Sequence, residues 1–254
     1  MKKIITLLTL TISFNMNAQM DDNSHPSNNS AGTYSVAMGY GTTASGDFST
    51  AMGYSTTASG EISTAMGRDN IASGYASTAM GYQSRASDFG LVAIGQYNSS
   101  GSSVTNNAIS FSTSNTAFVI GNGTVGARSD AFKVMFNGDA TVSNDLTVSG
   151  DVNISSDARL KSNIVSLGST LPKLLLIDGK SYEMKGKQKI GVLAQEIQEV
   201  FPELVSEDDN EMLAVNYQGL VPVLINALKE QDKIIKTQEE RLSKIEEVLA
   251  NLNE

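Results

Sequence analysis

A fixed fourteen-residue register constrains this chain more than any other feature. The triplets Ala37-Met38-Gly39, Ala51-Met52-Gly53, Ala65-Met66-Gly67, Ala79-Met80-Gly81 and Ala93-Ile94-Gly95 recur fourteen residues apart. A second series, Ala44-Ser45-Gly46, Ala58-Ser59-Gly60 and Ala72-Ser73-Gly74, keeps the same step and ends in the degenerate copy Ala86-Ser87-Asp88. Self-similarity at a fixed period is the mark of a repeat architecture. Within a unit, Ser35-Val36-Ala37-Met38-Gly39 and Ser49-Thr50-Ala51-Met52-Gly53 alternate small residues with longer or β-branched ones. In a strand this alternation sets Ser, Ala and Gly on one face and Val or Thr with Met on the other. Glycine closes each half-unit and Ser and Thr stand where helix formers would be needed, which disfavours a helix. Two strand-like halves make about one coil of a parallel β-solenoid, and one coil buries a core only by stacking on the next. The Ala and Ser face suits the inside of a narrow coil. The Met face then forms an apolar stripe that calls for further copies of the chain; the alternative is a monomeric solenoid that covers the stripe with its own loops.

The 254 residues leave room for more than this repeat, and composition shifts along them. Lys2 and Lys3, the apolar run Ile4 to Ile12 and Asn17-Ala18-Gln19 have the layout of a secretory signal peptide over residues 1–19, with a polar linker over 20–30. No later stretch approaches the roughly 20 apolar residues of a membrane span, so an exported product, secreted or at the cell surface, is expected. There is no cysteine, hence no disulfide, no thiol nucleophile and no acylated lipoprotein terminus. The net charge of −9 without a basic cluster argues against nucleic acid and anionic membrane as partners. His25 is the only histidine and lies in the polar linker, which removes Ser-His-Asp catalysis and most zinc sites. Any chemistry must run on Ser, Lys, Asp, Glu or Tyr, and no cofactor or metal is expected.

The head units resemble those of trimeric autotransporter adhesins over about residues 31–101. That resemblance implies a left-handed parallel β-roll packed as a trimer. Such proteins end in a membrane-anchor β-barrel, and no terminal set of amphipathic strands follows here, so their export route is not expected to carry over. Residues 102–155 are low in charge and rich in Ser, Thr, Asn and Gly, with strand-like runs at Ala117 to Ile120 and Ala131 to Phe136. Val142, Leu146, Val148, Val152 and Ile154 recur between turn residues. Three intertwined copies of this connector make a trimeric β-shaft; the competing reading is a plain linker.

The connector runs into Ser156-Asp157-Ala158-Arg159-Leu160-Lys161-Ser162-Asn163-Ile164. Taken alone, Ser-Asp ahead of Ala-Arg-Leu-Lys is a helix N-terminus with its cap. Placed between a fibre and a C-terminal domain, the pattern resembles the start of the peptidase S74 family, the intramolecular chaperones of phage tail spikes and endosialidases. Gly191-Val-Leu-Ala-Gln-Glu-Ile197, Phe201-Pro-Glu-Leu-Val205 and Val215-Asn-Tyr217 are similar to that family as well. The resemblance spans residues 156–254. It implies self-cleavage by a Ser-Lys dyad, with Ser156 as nucleophile, Lys161 as general base and Ser155-Ser156 as the bond cut. Asp157, Arg159 and Asn163 are supporting residues, Asp157 for positioning and Arg159 as a source of positive charge. A lysine base must give up its proton, which burial or nearby positive charge promotes, so cleavage is expected to wait for assembly.

Beyond the junction, Leu193, Ile197, Val200, Phe201 and Leu204 mark a helix face ended by Pro202, then a turn over Ser206 to Asn210 and a strand over Met212 to Tyr217. In the last segment Val221, Leu228, Ile235, Leu242 and Leu249 fall at seven-residue steps, with Leu224, Gln231, Gln238, Ile245 and Leu252 at the complementary core positions. This is a coiled coil; the alternative is an amphipathic helix folded onto its own domain. The expected fold is thus a mainly β, trimeric N-terminal half and an α+β C-terminal domain, 156–219, ending in a trimeric coiled coil over 220–254. The expected function is an exported homotrimeric surface fibre of the adhesin kind, with an unread ligand, whose C-terminal domain templates assembly and is cut away. A permanent trimerisation domain and an endopeptidase acting in trans are the competing functions.

Overall fold

A computed structural model describes residues 28–99, 108–208 and 211–252. The chain divides into two compact units, Met1–Val152 and Asn153–Glu254. The expected signal peptide and most of the linker after it lie outside the described residues.

In the first unit short and long strands alternate: β1 (Asn29–Ser30), β2 (Val36–Tyr40), β3 (Thr43–Ala44), β4 (Thr50–Tyr54), β5 (Thr57–Ala58), β6 (Thr64–Arg68), β7 (Ile71–Ala72), β8 (Thr78–Tyr82), β9 (Arg85–Ala86) and β10 (Val92–Gln96). The short strands form one parallel sheet, β1-β3-β5-β7-β9, and the long ones another, β2-β4-β6-β8-β10. Each residue pairs with its equivalent one repeat later, Ala37 with Ala51 and Ala51 with Ala65. The solenoid inferred from the register is therefore the fold. It begins slightly earlier than residue 31, because Asn29 and Ser30 pair with Thr43 and Ala44.

The two sheets are close enough that alanine fills the space between them. Ala37, Ala51, Ala65, Ala79 and Ala93 from the long strands and Ala44, Ala58, Ala72 and Ala86 from the short ones are fully buried. Serine and threonine occupy the buried corners, as with Ser35, whose hydroxyl donates to the Gly32 carbonyl at 2.7 Å. The opposite face carries the methionines, with Met66 and Met80 still 39% and 37% exposed, the unpartnered stripe that the alternation requires. A second ladder follows the glycine of each coil. Tyr40 stacks on Tyr54 at 5.1 Å, and the Arg68 guanidinium lies 5.4 Å from the ring centres of both Tyr54 and Tyr82. A planar guanidinium can take a rung in an aromatic ladder because it stacks on ring faces.

The sheet runs on past residue 101. Strand β11 (Thr116–Asn122) pairs in parallel with β10, and β12 (Asp130–Met135) and β13 (Ala140–Val142) then add antiparallel, closing the stack. The break in the second triplet series explains where the regular coils stop. At Gly60 or Gly74 a side chain would collide with the backbone of the following coil. Asp88 stands at the equivalent place, fully buried, and accepts from the Thr116 amide at 2.9 Å. Its carboxylate occupies the space another coil would need. From Ser143 to Asp157 no strand or helix forms, and Leu146, Val148, Val152 and Ile154 are exposed.

The second unit consists of α1 (Leu171–Leu174), the hairpin β14 (Lys180–Met184) and β15 (Lys187–Gly191), α2 (Ala194–Val200), the hairpin β16 (Val205–Glu207) and β17 (Leu213–Val215), and α3 (Leu220–Leu252). Lys185 and Gly186 both have positive φ, 51° and 72°, as a two-residue hairpin turn demands. Pro202 ends α2 as expected, opening a separate 3-10 turn over Pro202–Leu204. Ser206 lies on a strand rather than in a turn, because it pairs with Ala214. Ile197, Phe201 and Val223 form the core, flanked by Leu174, Val192 and Leu220.

Helix α3 shows two faces. Val223 and Ala227 pack on the domain, while the heptad residues Val221, Leu228, Ile235, Leu242 and Leu249 are exposed. The helix thus folds onto its own domain along one side, and the heptad residues lie along another. The packed face also carries Glu230, whose carboxylate accepts from the amides of Thr170 and Leu171 and the hydroxyls of Ser169 and Thr170. The Thr170 amide above all, then the Ser169 hydroxyl, hold the Glu230 carboxyl below its usual range. A depressed folded pKa stabilises above the unfolded carboxylate value of about 4.3 and loses that contribution as pH falls through the folded value. Glu230→Gln is expected to lower the melting temperature of this unit by a few degrees at neutral pH, followed by far-UV circular dichroism, with the gap to wild type closing as pH drops below the carboxylate range. An undiminished gap in acid would refute this account of the clamp.

Candidate active site

Ser155 and Ser156 lie in exposed chain ahead of a single 3-10 turn, Ala158–Leu160. Asp157 caps that turn in extended conformation, accepting from the Arg159 amide at 2.8 Å. The capping role read from local sequence is thus real, and it has a geometric consequence. The turn is a single one with extended backbone on either side, and the long side chain of Lys161, just beyond it, reaches back to Ser156. Its Nζ donates to the Ser156 Oγ at 2.8 Å.

The same aspartate clamps the arginine. Arg159 Nε lies 3.0 and 3.1 Å from the two Asp157 oxygens and Nη2 lies 2.7 Å from Oδ2. The Arg159 side chain first, and its amide second, hold the Asp157 carboxyl below the usual carboxylate range, and Asp157 in turn raises Arg159. Asp157 therefore stays ionised, suited to hold rather than to shuttle protons. The guanidinium is neutralised by this pair, so Arg159 does not present the uncompensated positive charge that the sequence reading assigned to it.

Asn163 stands apart. Its backbone is left-handed, φ 52°, a conformation that a short polar side chain tolerates, and among the described residues no hydrogen bond joins it to Ser156 or Lys161. The clamp by Glu230, sixty residues from Thr170, was missed in the sequence, since Ser169-Thr170 ahead of Leu-Pro signals a helix start without saying that the capping acid comes from a distant helix.

With this geometry in place, the comparisons are specific to two stretches. Residues 156–206 match Peptidase_S74, the chaperone of endosialidase. Four overlapping segments, 30–56, 44–70, 58–84 and 72–88, match the YadA head domain repeat. The chain carries YadA head repeats and an S74 chaperone segment. No curated protein matches the chain. The YadA head match covers the coils in which alanine is buried and methionine exposed, and such heads are trimeric β-rolls. The S74 match opens on Ser156 itself and includes the Ser156-Lys161 hydrogen bond, the β14-β15 hairpin, α2 and the start of β16. Among the described residues no helix is long and apolar enough to cross a membrane.

Proposed function

We propose that this protein is an exported trimeric adhesin-like fibre whose S74 segment guides trimer assembly and is then released by self-cleavage before Ser156. The observation that carries the proposal is the 2.8 Å hydrogen bond from Lys161 to Ser156, one residue after the bond to be cut. A nucleophile within hydrogen-bond reach of its base is the geometry that acyl transfer needs. Lys161, in its neutral form, takes the proton from Ser156 Oγ as that oxygen attacks the Ser155 carbonyl carbon. The proton passes to the leaving Ser156 nitrogen, so the amide becomes an ester of Ser156. Water then hydrolyses the ester, returning the Ser156 hydroxyl on a new N-terminus and leaving a carboxylate on Ser155. Asp157 holds the turn that sets this approach.

Ser156 and Lys161 are exposed in a single chain. Burial is what suits a lysine to act as a base, so assembly is the step that makes the dyad competent, and only trimerised chains are cut. That same exposure favours the second reading, a trimerisation domain that is kept. Expression of the chain beside its Ser156→Ala variant separates the two. The expected wild type yields two fragments on a denaturing gel, the smaller holding the last 99 residues and beginning at Ser156, with trimeric native mass; the variant stays whole and trimeric. A wild type that never splits would leave the kept domain as the function.

A further inference from the structure

Among the described residues of the second unit, two apolar features stand open to solvent. One is the arm that follows the dyad. Leu160, Ile164, Val165 and Leu167 are exposed, Val165 by 83%, and the chain is fastened at Ser169 and Thr170, by Glu230. The other is a groove of about 250 Å³ lined by Leu174, Ile177, Val192, Ile197, Leu220 and Leu224. Leu224 lines this groove and is also a core position of the heptad pattern, so the groove opens on the helix face that meets other copies.

We propose that, in the trimer, the arm of one copy seats its apolar residues in the groove of a neighbour, as an exchanged segment. This rests on the trimeric chaperone reading above. Reach allows it. From Ser169 back to Val165 an extended chain covers about 13–14 Å, more than the roughly 8–10 Å between packed helices. Exchange of an identical element between protomers is a low-cost route to association, and here it removes from water side chains that the lone chain leaves solvated. The arm begins at the dyad, so the same contact draws Ser156 and Lys161 from solvent into the interface. Assembly and the competence of the dyad thereby become one event.

The absence of native cysteine makes the test direct. The full chain, carrying Ser156→Ala so that the arm stays attached, is given Val165→Cys and Ile177→Cys together, and each alone, then oxidised and run on a non-reducing gel. Covalent trimers from the double variant, with neither single variant cross-linking, are expected. A double variant that runs as a monomer with its thiols consumed would mean that the arm seats in its own groove, and one with free thiols that it seats in neither; covalent dimers from Val165→Cys alone would mean that arms meet each other. Each of these overturns the exchange. The cysteines report on a chain that cannot cut itself, so failure of self-cleavage in the parent is a separate result: trimeric cross-links beside an uncut parent would leave the exchange standing and remove the cleavage.

Discussion

Lys161→Ala is expected to slow release of the fragment beginning at Ser156 by about 10²- to 10⁴-fold, the usual contribution of a positioned general base. Lys161→Arg is expected to do the same, and it is the more telling variant. Arginine keeps the positive charge and the length to reach Ser156 Oγ, but its guanidinium does not give up a proton in proteins. A role for Lys161 in holding the turn or pairing with a neighbouring copy would survive this change. A role as base would not. The measurement is a time course of fragment appearance on denaturing gels, with native mass recorded for each variant to establish that trimers still form. Cleavage by Lys161→Arg at the wild-type rate would remove Lys161 from the mechanism. Trimers that are lost together with cleavage would instead assign the lysine to assembly.

The contact between Ser156 and Lys161 and the solenoid were legible in the sequence for different reasons. A strict register is a collective signal: five equivalent triplets must all obey one packing rule, and alanine at Ala37, Ala51 and Ala65 states how narrow the coil is. Ser156 and Lys161 are local in sequence, and one capped turn suffices to join them. What escaped is what depends on distant partners or on charge balance. Arg159 was assigned to the lysine because it is positive, yet its planar fork finds the ideal bidentate partner two residues away in Asp157. The clamp by Glu230 needs the folded domain to bring α3 beside Ser169, and the Tyr-Arg ladder needs the coil spacing to stack residues that sequence shows only as a mixed column. Strands β11 and β12 were visible as strand-like runs, but their membership of the solenoid sheet follows from the pairing of β11 with β10, across residues that carry no repeat.

The solenoid's dependence on stacking also sets its weakest point, and Gly53→Ala is expected to expose it. Gly53 has φ +120°, where side chains are strained, and a Cβ there would collide with the carbonyl oxygen of Gly67 in the next coil. Strain at such a backbone costs about 1–3 kcal/mol, and forced overpacking costs a similar amount, giving roughly 2–6 kcal/mol for a single methyl. The loss does not stay local. In a stacked array each coil is held by its neighbours, so opening the contact between β4 and β6 leaves the coils on either side with an unpaired edge. Ser59→Ala is the matched control, because Ser59 is exposed and surface changes of this kind shift stability by no more than about 0.5 kcal/mol. Thermal melts followed by the β-sheet circular dichroism signal should show a large downward shift, or two separated transitions, for Gly53→Ala and none for Ser59→Ala. If the glycine variant melts with wild type, the coils can move apart by the width of a methyl group without loss, and the close alanine-lined stack is not what holds the head together.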